Sequence, residues 1–260
     1  MPHQWDPKQY EKFAEERYAP FYDLISLVQP MHQPRILDLG CGNGVLTKMV
    51  HDKYKAEFSL GIDTSKEMLS KTKELKNPQL EFKREDIVSF ADTHCGEKFQ
   101  LIISNAALQW LPNHKVLFDK LVKLLSREGQ LAIQMPANQD YPTHTIAAEL
   151  SREEPFKNGM NNKGDAIHPL LSMEEYAQLL DKLGFKSPVV RIQLYSHFLE
   201  STTSVIEWVK GSLLTYYKSQ MAPEMYEEFL KIYQKRLFNR LGWSEPFYFP
   251  MKRLFLWGKC

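Results

Sequence analysis

Short apolar runs alternate with segments of helical periodicity along the first half of the chain. Strands that are buried on both faces of a parallel sheet have this near-continuous apolar character, and a helix fills each crossover between them. Five runs have the length of such strands: 35–39, 58–62, 80–83, 99–104 and 130–134. The pattern predicts an α/β fold with a doubly wound, mostly parallel sheet.

Beyond the fifth run the pattern is less regular. A helix is predicted over 172–183, because Ser172 can cap its first turn and Glu175 stands at the capping-box position. Segments 187–195 and 247–258 have the character of strands. They bring the predicted sheet to seven strands.

The segments outside these elements predict a helical cap on a single domain. The piece after the fifth strand is expected to be rich in loops, and the aromatic residues of the last piece are expected to pack helices together. The core is assigned to about 31–136, 172–200 and 246–260. The cap is assigned to about 6–30, 137–171 and 201–245.

The first predicted strand runs directly into a glycine-rich turn. Asp38 precedes Gly40, Gly42 and Gly44, and a helix is predicted from Val45. Glycines let the backbone approach a ligand closely, and the amides of the helix then face its anionic groups. A dinucleotide fingerprint would have its last glycine where Val45 stands. With an acid before the first glycine, the spacing predicts a ligand that carries a cationic amino acid, S-adenosylmethionine.

Polar residues follow the next three predicted strands. Asp63 ends the second, where a carboxylate can accept both hydroxyls of a ribose. Asp86 and Ile87 follow the third and suit an adenine amino group and ring, although Asp86 could instead cap a loop. Asn105 ends the fourth, beside the glycine turn of a doubly wound sheet. Trp110 is expected either to face the same pocket or to anchor the core.

Composition argues against several classes of function. The 260 residues hold 33 Lys+Arg and 32 Asp+Glu, and a net charge of +1 gives no global field for nucleic acid or an anionic membrane. Three cysteines without a C-x-x-C pair indicate reduced thiols rather than a metal site. The N-terminus lacks the features of a signal peptide, and no apolar run approaches the about 20 residues that span a bilayer. We expect a cytoplasmic protein that binds a small molecule and no nucleic acid, membrane or metal.

Longer segments resemble a known family. Residues 38–44 resemble motif I of class I S-adenosylmethionine-dependent methyltransferases, and 105–114 resemble carboxyl methyltransferases of small acids. Nearly the whole chain is similar to the trans-aconitate 2-methyltransferase family, most specifically in the Gln-Met-Pro of 131–136 and the Trp-Val-Lys-Gly of 207–211. The resemblance implies a Rossmann-like core that uses S-adenosyl-L-methionine and releases S-adenosyl-L-homocysteine. The expected cofactor residues are Asp38, Gly40, Gly42, Asn43, Asp63, Asp86, Ile87 and Asn105.

The implied reaction moves a methyl group from a sulfonium to a carboxylate of a small polycarboxylic acid by in-line displacement. An ionised carboxylate, with a pKa of about 4, already carries nucleophilic lone pairs at neutral pH, so no general base is required. Positioning could contribute roughly 7–11 kcal/mol, and a cap could strip water from the opposite charges. No catalytic side chain is therefore expected.

Binding of such an acid requires cations and hydrogen-bond donors. Arg17 shares a predicted helix face with Tyr10 and could point inward, or it could be a solvated surface residue. His144 lies after the fifth strand, where a simple loop histidine is the alternative. His197 ends the sixth strand and could add a donor. Together with Trp110 these are the expected substrate residues.

Two other functions stay open. A malonyl-carrier-protein O-methyltransferase of biotin synthesis would share the Leu-Gln-Trp of 108–110. It would need a basic surface for its carrier, and no cluster of lysine or arginine stands out in the predicted cap. The other alternative is a protein that binds S-adenosylmethionine without catalysis.

Overall fold

The computed structural model describes residues 14–160 and 170–260, with side chains from Tyr18 onward. Its first elements are α1 (Ala14–Leu27), β1 (Arg35–Leu39), α2 (Val45–Tyr54), β2 (Phe58–Asp63), α3 (Lys66–Ser70), β3 (Leu80–Arg84) and α4 (Ile87–Thr93). Then follow β4 (Phe99–Asn105), a 3-10 turn (Leu108–Trp110), α5 (His114–Val122), β5 (Leu125–Pro136), α6 (Pro142–Ser151) and α7 (Phe156–Gly159). The last are α8 (Met173–Lys182), β6 (Lys186–Leu199), α9 (Thr202–Lys210), α10 (Leu213–Gln220), α11 (Pro223–Leu241) and β7 (Phe247–Lys259).

The seven strands form one sheet in the order β3-β2-β1-β4-β5-β7-β6. Strands β1 to β5 pair in parallel, and β7 pairs with β5 in the antiparallel sense. The chain leaves β1 toward β3 on one side and returns to β4 on the other. This reversal opens a crevice at the carboxyl ends of β1 and β4, where doubly wound folds bind ligands. The predicted seven-stranded, mostly parallel sheet is confirmed.

The central strands are apolar because both of their faces are covered. Leu37 on β1 and Leu101 and Ile102 on β4 have no solvent exposure. The helix before β6 begins as its sequence predicts: Ser172 Oγ accepts from the backbone N–H of Glu175, whose carboxylate accepts from the N–H of Ser172. The apolar runs and the capping pair in the sequence therefore predicted strands and a helix that the structure contains.

The described residues group into two compact units. The first consists of 17–136, 170–193 and 253–260 and contains all five parallel strands. The second consists of 14–16, 137–160 and 194–252 and carries α6, α7, α9, α10 and α11. Strands β6 and β7 supply residues to both units. That the second unit serves as a cap stays a prediction.

The expectation that 137–170 is rich in loops is wrong for much of its described part. Helix α6 begins with Pro142 at its first turn, where the missing N–H costs nothing. Ile146 and Leu150 then lie buried one turn apart on its inner face. The polar residues of the first turn hid this short apolar stripe in the sequence.

Aromatic rings form the core of the second unit, as the sequence predicts. Phe229 has no solvent exposure. Its ring lies 5.3 Å from that of Phe156, 5.1 Å from that of Tyr217 and 6.3 Å from that of Tyr233. The hydroxyl of Tyr233 donates to the carbonyl of Thr143 at 3.1 Å, which ties α11 to α6. None of the helices in the described ranges is long and apolar enough to cross a membrane.

Replacing Phe229 by alanine should lower the free energy of unfolding by about 3–5 kcal/mol, because it leaves a cavity among aromatic rings that cannot collapse. Urea unfolding followed by circular dichroism measures the change. The matched control is Phe198→Ala, which removes a ring that is 72% exposed and should cost less than about 0.5 kcal/mol. Equal losses for the two variants would contradict this description of the core.

Candidate functional site

The glycine turn after β1 depends on backbone that other residues rarely adopt. Gly40, Gly42 and Gly44 have φ angles of 79°, 56° and 78°. A Cβ on Gly40 would lie 2.3 Å from the Cβ of Ala107. The turn therefore requires glycine both for its conformation and for its close contact with the segment after β4.

Asp63 is held in place by the same turn. Its Oδ2 accepts from the backbone N–H of Gly42 at 2.9 Å, and its Oδ1 accepts from that of Ser65 at 2.8 Å. The side chain is only partly buried. Each carboxylate oxygen has a second lone pair. Asp63 can thus accept further hydrogen bonds from a fixed position at the tip of β2.

Asp38 is buried, unlike Asp63. Its Oδ2 accepts from the hydroxyl of Thr47 at 2.6 Å. Burial raises the pKa of Asp38 from 3.8 to about 7, the hydroxyl of Thr47 works against this rise, and the negative charge of Asp63 adds to it. A cationic group near this edge would favour the ionised form of Asp38.

Asp86 and Ile87 begin the helix after β3. Asp86 is the N-cap of α4, and its Oδ1 accepts from the backbone N–H groups of Val88 at 2.9 Å and Ser89 at 3.0 Å. Asp86 therefore has a capping role, but it caps a helix and not a loop as the alternative for this acid had it. The side chain is exposed, and its Oδ2 has no hydrogen bond to a described residue, whereas Ile87 is buried.

The strand register brings Asp63 and Asn105 to one face of the sheet. Asp38 pairs with Gly61 on β2 and with Ile103 on β4. Asp63 and Asn105 each lie two residues further along those strands. Since alternate residues share a face, all three polar side chains point to the same side of the carboxyl edge. Asn105 Oδ1 is buried there without a hydrogen-bond partner among the described residues.

The chain is similar to known methyltransferases in sequence and in fold. The model of a methyltransferase-domain family matches residues 32–184. The trans-aconitate 2-methyltransferase of Deinococcus radiodurans is 33% identical over 255 residues, which cover 97% of each protein. The YcgJ protein of Bacillus subtilis superposes with a TM-score of 0.60 at 13% identity, over 93% of this chain and 98% of that one. Phosphoethanolamine N-methyltransferase 2 of Haemonchus contortus, solved with S-adenosyl-L-methionine, gives 0.54 at 15% identity, over 93% and 52%.

The chain belongs to the trans-aconitate 2-methyltransferase family. Identity at this level over nearly the full length shows the family, and the solved structures share its class I fold. The protein is therefore a methyltransferase that depends on S-adenosylmethionine. The predicted family, fold class and cofactor are confirmed.

The expected substrate residues of this methyltransferase lie on four different elements. Trp110 ends the 3-10 turn and is partly exposed. His197 lies on β6, with its ring 5.0 Å from that of Trp208. The backbone of Arg17 is in α1, but its side chain lies outside the described residues.

His144 lies on α6, in its first turn, and so its predicted placement in a loop is wrong both for the substrate contact and for the alternative. Its Nδ1 is 3.0 Å from the hydroxyl of Thr143. Burial lowers the pKa of His144 from 6.5 to about 4, against the opposing effect of Asp140. At neutral pH the imidazole is uncharged, and it can offer a hydrogen bond but not a positive charge.

Sequence reasoning missed Thr47 and Gln109. Thr47 lies in the first turn of α2 and donates to Asp38, a contact that its place one helical turn after Gly44 could have suggested. Gln109 donates its Nε2–H to the carbonyl of Ala106 at 2.8 Å, and its Oε1 is buried without a partner among the described residues. No group of histidines, cysteines or carboxylates suitable for a metal occurs in the described part of the chain.

Gly40→Ala should destabilise the methyltransferase and weaken its binding of S-adenosylhomocysteine at least tenfold, because the new methyl group collides with Ala107. Gly184→Ala is the matched control. Gly184 has a similar φ of 84°, but a Cβ there meets nothing within 4 Å, so only the backbone strain of about 1–2 kcal/mol remains. Urea unfolding and titration calorimetry measure the two effects.

The double variant Gly40→Ala, Ala107→Gly should recover part of the stability lost in Gly40→Ala, since it removes the Cβ of residue 107 with which the new methyl group collides. Equal stability of Gly40→Ala and Gly184→Ala would show that the contact with Ala107 does not constrain the turn.

Asp38 should make the cofactor-free protein less stable as pH rises from about 4 to about 7. The folded state keeps its proton to higher pH than the unfolded state does, so the group's contribution falls by up to about 1.4 kcal/mol per pH unit in that window. Asp38→Asn has no proton to lose. Its free energy of unfolding, measured in urea at pH 5 and pH 8, should rise relative to that of the wild type between the two values. Parallel pH profiles of the two proteins would contradict the raised pKa.

Proposed function

We propose that this methyltransferase forms a methyl ester on a small polycarboxylic acid, with trans-aconitate as the first candidate. The observation that carries the proposal is the identity of 33% across 97% of a trans-aconitate 2-methyltransferase. The near-zero net charge is compatible with a small-molecule substrate and gives no general attraction for a polyanion.

The residues at the carboxyl edge fit the cofactor. Asp63 has lone pairs left for the ribose hydroxyls and is already oriented by two backbone N–H groups. Asp86 Oδ2, which has no hydrogen bond to a described residue, is left for the adenine amino group, with Ile87 next to it. Asn105 offers a buried acceptor. We assign the cofactor to these residues together with Asp38, Gly40, Gly42 and Asn43.

The chain's own contribution to the reaction is positioning and the exclusion of water. When bound, S-adenosylmethionine supplies an electrophilic methyl group on its sulfonium. The acid needs no proton removed, because its carboxylates are ionised well below neutral pH. The protein must hold a carboxylate oxygen in line with the methyl group and keep water from both charges, which accounts for the lack of an assigned catalytic base.

Arg17, Trp110, His144 and His197 remain the proposed contacts for the acid. Of these, Arg17 is the residue that can bring a permanent positive charge. His144 can bring a directional hydrogen bond, since its lowered pKa keeps the ring neutral at pH 7. A substrate with several carboxylates requires both a positive charge and a directional hydrogen bond. Arg17 is assigned to the first requirement and His144 to the second.

The proposal is tested by transfer of labelled methyl from S-adenosylmethionine to a panel of acids. Trans-aconitate, cis-aconitate and citrate represent tricarboxylates, and a malonyl carrier protein represents the alternative substrate. We expect label on trans-aconitate in a form that mild alkali releases, as an ester does. Asp63→Ala is the cofactor control and should raise the dissociation constant of S-adenosylhomocysteine at least tenfold, about 1.4 kcal/mol.

Label on the malonyl carrier protein but on none of the free acids would replace the proposal by the carrier reaction. Binding of S-adenosylhomocysteine with no transfer to any acceptor would favour a binding protein without catalysis. An unchanged dissociation constant for Asp63→Ala would remove Asp63 from the assigned cofactor residues.

A further inference from the structure

Gln134 is a buried glutamine whose amide N–H meets no acceptor among the residues that the structure describes. It lies near the end of β5, with 1% of its surface exposed. Its Nε2 is buried and has no hydrogen-bond partner among the described residues. A buried N–H without an acceptor is costly, and native proteins rarely keep one unless a ligand or a water molecule completes it.

A second buried glutamine on the same strand, Gln130, has a structural role and serves as a comparison. Gln130 lies four residues earlier on the same face of β5 and is also 1% exposed. Its Oε1 accepts from the backbone N–H of Gln29 and from Nε1 of Trp257, and its Nε2 donates to the carbonyl of Gln29. The carboxamide of Gln130 is thus satisfied at both ends, whereas Nε2 of Gln134, nearer the carboxyl edge, has no acceptor within the described part of the chain.

The position of Gln134 follows from the register of the sheet. It pairs with Asn105 on β4, and its carbonyl accepts from the backbone N–H of Ala106 at 2.9 Å. Registered partners on parallel strands share a face, so Gln134 lies one strand, about 4.8 Å, beyond Asn105 on the face that also carries Asp63. The order of the strands therefore gives the order of the ligand contacts along the carboxyl edge of the sheet. The assigned adenine and ribose contacts are at β3 and β2, the glycine turn follows β1, and Asn105 ends β4. Strand β5 is the next position outward from the cofactor.

The chemistry at this point of the edge is selective. Asn105, the register partner of Gln134, has a buried Oδ1 without a partner among the described residues, and the same is true of Gln109 Oε1 in the 3-10 turn after β4. Gln134 Nε2 is the donor of these three atoms. A buried donor favours a ligand that presents an oxygen acceptor, and disfavours one that leaves the N–H without a hydrogen bond.

We propose that Gln134 is a specificity residue that contacts the acid substrate and donates its Nε2–H to a carboxylate oxygen. The proposal rests on the proposed function, since the acceptor it names belongs to the acid. The carboxylate of the cofactor's methionine has the same chemistry and is the other possible source of the oxygen. The position beyond Asn105, on the side away from the adenine and ribose contacts, favours the acid.

The test compares two matched variants of the full-length enzyme, Gln134→Met and Gln130→Met. Methionine keeps the length of the side chain and removes the amide. Gln134→Met should raise the KM for trans-aconitate at least tenfold, with kcat within threefold of wild type. Its dissociation constant for S-adenosylhomocysteine should stay within twofold, and its Tm should not fall, because an unpaired donor has been removed. Gln130→Met should lower the Tm, through three lost hydrogen bonds, and leave the KM within twofold.

Gln134→Glu provides a second variant of the same size. It replaces the donor by an acceptor that carries negative charge. This variant should raise the KM for trans-aconitate further than Gln134→Met does, without weakening the binding of S-adenosylhomocysteine. An unchanged KM in both Gln134 variants overturns the proposal, as does a fall in Tm for Gln134→Met equal to that of Gln130→Met without a change in KM.

A tenfold weaker binding of S-adenosylhomocysteine with an unchanged KM for the acid would assign the donor to the cofactor's carboxylate, and also overturns the proposal. Failure of the proposed function is seen separately. A wild-type enzyme that labels no acid of the panel refutes the substrate before any variant is compared, and removes the acid contact of Gln134 with it.

Discussion

The close contact between the glycine turn and its neighbours is the constraint on which the candidate site depends. Gly40 lies against Ala107, and Gly44 lies so near the ring of Phe82 that a Cβ would be 2.6 Å from it. These contacts bring the turn after β1 against the segment that follows β4 and against strand β3 itself. Within this turn the backbone N–H of Gly42 donates to Asp63 and helps to orient its carboxylate. The absence of a Cβ at Gly40 thus lets the turn pack against Ala107 while Gly42 holds Asp63 at the end of β2.

The electrostatics of the site follow from the same packing. Two acids lie near the turn, and burial raises the pKa of Asp38 to about 7 while Asp63 stays partly exposed. The negative charges of the two carboxylates repel each other, and this repulsion favours the binding of a cationic ligand between or beside them. The hydroxyl of Thr47 offsets part of the burial of Asp38. A sulfonium cofactor with an ammonium group suits this edge better than a pyrophosphate does.

Much of this arrangement was predictable from local patterns. Apolar runs predicted the strands because a parallel sheet buries both faces, and the capping pair of Ser172 and Glu175 predicted the start of α8. Helix α6 was missed, because its first turn is polar and its buried stripe is short. The first-turn position of His144 and the low pKa of its ring could not be predicted either. Both depend on residues that only packing places around it.

The sequence by itself determined the seven strands, the glycine turn, the methyl donor and the family, because each of these depends on residues that are close together along the chain or are matched over its full length. Tertiary structure alone decided which buried polar groups are satisfied. Gln130 and Gln134 are the same residue type on one face of one strand, yet Gln130 meets Gln29 and Trp257 while the amide donor of Gln134 meets no described acceptor. Hydrogen bonds of this kind join residues about a hundred positions apart, and no local pattern reports them.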